Sequence, residues 1–259
     1  MLKLNCVKYE IHDDGIAFVN LDNKPVNSLN LNMLKDLTKV LDDIKKNDNC
    51  RVVIFRSLQK HFSAGADLKE RKEMTSDQTY KFLEKINKLF DDIENLNIPT
   101  IASIHGAALG GGLELALCCD FRIATEKSLL GLPETSLGII PGAGGILRLS
   151  KLIEPSKAKY WVFTAQKFSS EAAYKDGVID FLSKEDELLG VTLEISQEIL
   201  DNAPLAIKAS KTLFNKYFNS NANLYKAQKE SYSIVMNSKD KKEAIDAFLS
   251  KRKPKWTGE

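Results

Sequence analysis

The sequence predicts an α/β core that carries a helical C-terminal extension. Two observations lead there. Over the first two-thirds of the 259 residues, short apolar runs of strand type alternate with amphipathic helical segments, and beyond Ser150 the pattern is almost wholly helical. A third observation, glycine clusters at strand-to-helix turns, marks where backbone N–H groups can approach a ligand.

Residues 15–21 read as a strand ending in the turn-rich Asp22-Asn-Lys-Pro-Val-Asn27. Over 29–46, Leu31, Leu34, Leu37, Leu41 and Ile44 recur at three- and four-residue spacing, the stripe of an amphipathic helix closed by Asp48 and Asn49. Arg51 and Arg56 enclose Val-Val-Ile-Phe, a buried strand. A helix over 78–96 follows, then Pro99 and a strand over 100–104. Further strands are expected at 121–125, 129–132 and 178–181. The helices of the last third fall at 155–164, 169–176, 185–202, 204–218, 221–237 and 239–250. Ser169 with Glu171 in the first turn marks a helix start, and Asp176-Gly177 a stop. No repeat or flexible linker interrupts the chain, so the division is one catalytic domain plus a helical appendage.

Composition narrows the function. Hydrophobic residues at 43%, charged residues at 28% and a formal net charge of +2 ask for neither nucleic acid nor a membrane surface. No run approaches the roughly 18 apolar residues of a membrane span. The start, Met-Leu-Lys-Leu-Asn-Cys, has neither a signal-peptide core nor a transit-peptide composition. A cytoplasmic protein is expected, or a mitochondrial one if a transit peptide has been removed. Cys6, Cys50, Cys118 and Cys119 form no C-x-x-C pair and read as buried thiols; His12, His61 and His105 are scattered, so no metal site is expected.

The chemistry concentrates in three glycine-containing stretches: 62–69, 109–116 and 141–145. Two backbone N–H groups converging on one oxygen at such turns make an oxyanion hole, worth a few kcal/mol per donor. The patterns of nucleoside triphosphate, dinucleotide and serine-hydrolase sites are missing. Glu114 and Glu134 lie in apolar, small-residue neighbourhoods, where desolvation raises a carboxyl pKa and a pair can divide acid and base roles. Proton transfer is the chemistry this pairing suggests.

The segments Ala64-Gly-Ala-Asp-Leu-Lys69, Ala108-Leu-Gly-Gly-Gly-Leu-Glu-Leu-Ala116 and Leu137-Gly-Ile-Ile-Pro-Gly-Ala-Gly-Gly145 resemble those of the crotonase superfamily, the enoyl-CoA hydratase/isomerases. The resemblance covers essentially the whole chain. Within the family it is nearest to the methylglutaconyl-CoA hydratases, and short-chain enoyl-CoA hydratases are similar too.

The resemblance implies a crotonase-like spiral of ββα units, with a catalytic core over 1–200 and a helical trimerisation region over 201–259. It implies reversible syn addition of water to a 2-enoyl-CoA. The thioester oxygen would be held by the N–H groups of Ala66 and Gly111, with Glu114 as water-activating base and Glu134 as proton donor to carbon. CoA would lie along Ala64, Gly65, Asp67 and Leu68, and Gly142 would leave room beside the water. Phe248 and Lys251 match the positions from which a neighbouring subunit's final helix reaches the adenine and phosphate. A homotrimer, or a hexamer of two trimers, is therefore expected, with an acyl-CoA partner and no cofactor or metal. Two alternatives remain at this point: double-bond isomerisation, and RNA binding with residual activity. RNA is the less expected, because Leu31, Asp36, Asp42 and Asp43 interrupt the lysine row of Lys35, Lys39, Lys45 and Lys46.

Overall fold

The apolar runs assemble into a six-stranded sheet, in a computed structural model that describes residues 2–202, 204–218, 236, 238–252 and 254. Strand β1 (Val7–Ile11) pairs antiparallel with β2 (Ile16–Leu21). Then β3 (Val52–Ser57), β4 (Thr100–Ile104), β6 (Phe121–Thr125) and β9 (Phe181–Ser183) follow in parallel. Parallel strands covered on both faces carry apolar residues at successive positions, and these do. Ala17, Val19, Val53, Phe55 and Ala102 face one core with α1 (Leu31–Ile44) and α3 (Ser76–Glu94). Ile16, Phe18, Val52, Ile54 and Ile101 face the other, under Leu188 and Ile195 of α8 (Leu188–Leu200).

A second, smaller sheet holds β5 (Ala107–Leu109), β7 (Leu129–Gly131) and β8 (Phe168–Ser169). Ser63 bridges Ala108 beside it, and Leu29 bridges Ala66. Successive passes of the chain thus leave a strand in the large sheet and an extended segment in this second layer. That spiral sets the glycine turns at 65, 110 and 144 beside one another, next to short helices α2 (Leu68–Glu73), α4 (Gly111–Ala116) and α5 (Gly145–Leu152).

Several expectations need adjusting. Strands β1, β5 and β8 were not anticipated, being short or exposed in alternation. Leu31, at the first position of α1, is 41% exposed, and Met33 joins the buried stripe instead. Helix α3 starts two residues early because Thr75 and Gln78 close a reciprocal capping box. The strand expected over 178–181 begins only at Phe181. Val178 and Ile179 instead donate to Ala173 O, finishing α7 (Ser170–Asp176) around left-handed Gly177.

The C-terminal helices are tied back to the core. From α9 (Pro204–Phe218), Lys211 Nζ donates to Ile98 O at 2.8 Å and Asp120 Oδ2 at 2.6 Å. The last described helix, α10 (Lys239–Leu249), packs on a 3-10 turn at Pro133–Leu137. Apart from Met236, the helix expected over 221–237 lies outside the described residues, as do positions 255–259. No helix among the described residues is long and apolar enough to cross a membrane.

Candidate active site

Two backbone turns meet at the mouth of a cavity of about 60 Å³. One is the 64–66 loop, fixed by Ala64 N donating to Val26 O and Leu29 N donating to Gly65 O. The other is the start of α4. Their approach is close: a Cβ on Gly65 would stand 2.6 Å from Leu109 O and 3.0 Å from Gly111 N. One on Gly111 would stand 3.7 Å from Ala66 N. Only glycine at 65 lets the two segments touch, and the N–H-bearing atoms of Ala66 and Gly111 are thereby brought together.

Glu114 sits in the first turns of α4 and is buried. Its Oε1 accepts from Ala143 N and Gly145 N, both at 2.8 Å, at the start of α5. Burial pushes its pKa up, while the two N–H donors and Arg148 pull against that shift. Glu134 projects from the 3-10 turn, which Pro133 opens and left-handed Gly138 closes. Its carboxylate lies against Gly110, whose φ of +52° and absent Cβ leave the space: a Cβ there would be 2.9 Å from Glu134 Oε1. Glu134 Oε2 is buried and makes no hydrogen bond to the described residues. Burial, then the charge of Glu114, push its pKa well above the ordinary carboxyl value. Two buried carboxylates on one cavity, one anchored and one not, can exchange protons with a molecule held between them.

Ala66, Leu68, Gly111, Glu114, Glu134 and Gly142 all line this cavity. Asp67 caps α2, accepting from Lys69 N and Glu70 N. Phe248 is brought elsewhere, to a cavity of about 520 Å³ that it shares with Thr135 and Phe163. Lys251 is exposed beyond α10. Sequence reasoning missed Lys241, which lines the glutamate cavity together with Arg71. It also missed Asn87 and Arg148, which hold the 142–145 loop. Asn87 left one signal, a carboxamide on an otherwise apolar helix face with Phe82, Ile86 and Phe90. The four cysteines are buried thiols, as expected. Lys39 and Lys45 of the lysine row pair with Asp36 and Asp92.

Comparison with known proteins identifies the family. The enoyl-CoA hydratase/isomerase family model matches residues 12–259. A probable mitochondrial enoyl-CoA hydratase 2 from Arabidopsis thaliana is 42% identical over 250 residues, 95% of this chain and 83% of that protein. The mitochondrial methylglutaconyl-CoA hydratase of Mus musculus is 39% identical over 239 residues, 90% of this chain and 76% of that protein. The crystal structure of an enoyl-CoA hydratase from Bacillus anthracis superposes with a TM-score of 0.81 at 36% identity, covering 98% of this chain and 100% of that one. With fold and sequence in agreement along nearly its whole length, this chain belongs to the enoyl-CoA hydratase/isomerase family.

Proposed function

We propose that the protein adds water reversibly to a 2-enoyl-CoA thioester. The observation that carries this reading is the pair of buried glutamates on one small cavity beside the Ala66 and Gly111 amides. Glu114 takes a proton from water as the water oxygen bonds to the β-carbon, and the C=C electrons move to the thioester oxygen. The Ala66 and Gly111 N–H groups stabilise the resulting enolate. As the carbonyl reforms, Glu134 delivers its proton to the α-carbon, leaving a 3-hydroxyacyl-CoA. The proton then passes from Glu114 back to Glu134, which restores the starting state. The raised pKa of Glu134 suits the acid, and the N–H-anchored Glu114 suits the base.

CoA would run along Ala64, Gly65, Asp67 and Leu68, with Gly142 beside the attacking water and no separate cofactor. Arg71 and Lys241, two cations on a wall otherwise rich in Leu, Ile and Phe, support an acyl group ending in a carboxylate, of the methylglutaconyl type. A trimer or a pair of trimers, built through the region 201–259, is supported by the exposure of Phe163 (74%), Leu213 (69%) and Phe248 (56%). In that assembly Phe248 and Lys251 would serve a neighbour's CoA. A cytoplasmic or mitochondrial location fits this metabolism.

Loss of the conjugated-thioester absorbance of crotonyl-CoA, with one water added per substrate, tests the reading. Isomerisation of a 3-enoyl-CoA without such addition would replace hydration by the isomerase alternative. Methylglutaconyl-CoA in the same assay tests the acyl preference. An active monomer in light scattering at micromolar concentration would overturn the assembly.

A further inference from the structure

The 142–145 loop holds Glu114, and two buried side chains outside the cavity hold the loop. Asn87 Nδ2 donates to Gly142 O at 2.7 Å and to Leu83 O, one turn back in its own helix, at 2.8 Å. The carbonyl of Gly142 and the N–H of Ala143 belong to one planar peptide, so a donor on the oxygen side polarises the N–H on the other. That N–H is a donor to Glu114 Oε1. The peptide between the two donors is pinned as well: Arg148 Nη1 donates to Ala143 O at 2.8 Å, and the next residue but one, Gly145, supplies the second N–H to Glu114 Oε1. Arg148 Nε and Nη2 are fixed by Glu94 Oε2 at 2.8 Å and Asp91 Oδ1 at 2.7 Å. A Cβ on Gly144 would collide with Nη1, so the guanidinium is seated hard against this loop.

We propose that Asn87 and Arg148 are positioning residues: they fix the 142–145 loop so that its Ala143 and Gly145 N–H groups stay on Glu114 Oε1 and favour the carboxylate anion. This rests on the hydratase reading above. A carboxamide is a poor choice for the middle of an apolar helix face unless both its N–H groups are used, and here both are. Arg148 is a buried cation whose nearest carboxylates are Asp91 and Glu94, so it acts on Glu114 through the backbone and through its field. The other titratable groups around Glu114 are Glu134 on the 3-10 turn, Cys118, whose thiol donates to Glu114 O, and Arg71 and Lys241 on the cavity wall. Of these cations, only Arg148 is among the groups that shift either glutamate.

The test is the pH profile of crotonyl-CoA hydration by the full-length protein and by Asn87→Leu, which keeps the volume and removes the donor. The expected result is a fall in kcat of about tenfold or more with little change in KM. The acidic limb of kcat/KM should move up by about half a pH unit, because Glu114 loses part of the stabilisation of its anion. If the leucine variant does not fold, Asn87→Asp retains the shape; its carboxylate sets a charge near Glu114 and should move the limb in the same direction. An acidic limb that stays in place in a folded variant of either kind refutes the positioning role alone. Wild-type protein that does not hydrate crotonyl-CoA refutes the underlying reading instead.

Discussion

Glu114 and Glu134 face the same cavity from two differently built regions. Glu114 comes from a helix within the glycine-rich core, and the start of α5 clasps one of its oxygens with two N–H donors. Glu134 stands on a single 3-10 turn, pressed against Gly110, with one buried oxygen that accepts no hydrogen bond from the described residues. Burial raises the pKa at the first position, but fixed dipoles and the Arg148 field pull back toward the anion there. Burial and the neighbouring negative charge favour the neutral acid at the second. In the proposed hydration, surroundings and not residue type would divide the labour between two identical side chains.

The largest expected effect tests both sides of that comparison. Glu114→Gln and Glu134→Gln should each lower kcat for hydration by about two orders of magnitude or more, with folding intact by circular dichroism. A near wild-type rate in either variant removes that residue from the mechanism. Next comes the profile against pH. For the wild type, kcat/KM should fall on the acid side as Glu114 is protonated and on the alkaline side as Glu134 loses its proton. Both limbs report the coupled pair, so they should be measured together and compared with the Gln variants. A flat profile across both limbs would show that the two carboxylates do not differ in protonation.

A smaller effect should separate the two regions sterically. Gly110→Ala forces a side chain into a left-handed position and against Glu134 Oε1, so kcat should fall roughly tenfold while Glu114 keeps its anchors. Unchanged turnover would mean that the Glu134 carboxylate is free to move aside. The smallest effect is on stability. The folded-state pKa of Glu134 lies above its unfolded value, so between the two the folded state binds more protons. Its contribution to stability is therefore fully present below the unfolded pKa and is lost as pH rises through the folded one. Glu134→Gln should thus melt higher than wild type at pH 8, by roughly 2–4 °C for each kcal/mol gained, and no higher at pH 4. Equal melting temperatures at both values would argue against a buried, strained acid.

Much of this protein is written locally. The runs at 52–55 and 100–104 declare buried strands, because a strand covered on both faces is apolar at consecutive positions. The spacing of Leu34, Leu37, Leu41 and Ile44 declares a helix face, and Gly177 declares a helix end. Both glutamates and all three glycine turns could be picked out too, since glycine at a turn and a carboxylate among small apolar residues are visible to their chain neighbours.

Other features depend on distant partners. Strands as short as β5 and β8 acquire their hydrogen bonds from β7 and, for β5, from Ser63 as well, and no local period announces them. Residues 178 and 179 look like a strand by composition, yet their N–H groups go to Ala173 O. Asn87 and Arg148 read as ordinary polar residues of helices until folding brings them to carbonyl oxygens of the 142–145 loop. Neither of the two glutamates differs from the other in sequence terms; folding alone gives one a pair of N–H donors and leaves the other unanchored. The sequence by itself determined the longer helices, the apolar strands and the residue types available for proton chemistry, because turns and helix faces are settled within a few residues. Which carboxylate receives N–H donors and which is left without them was decided by tertiary structure, because desolvation and hydrogen bonding depend on groups brought from far along the chain.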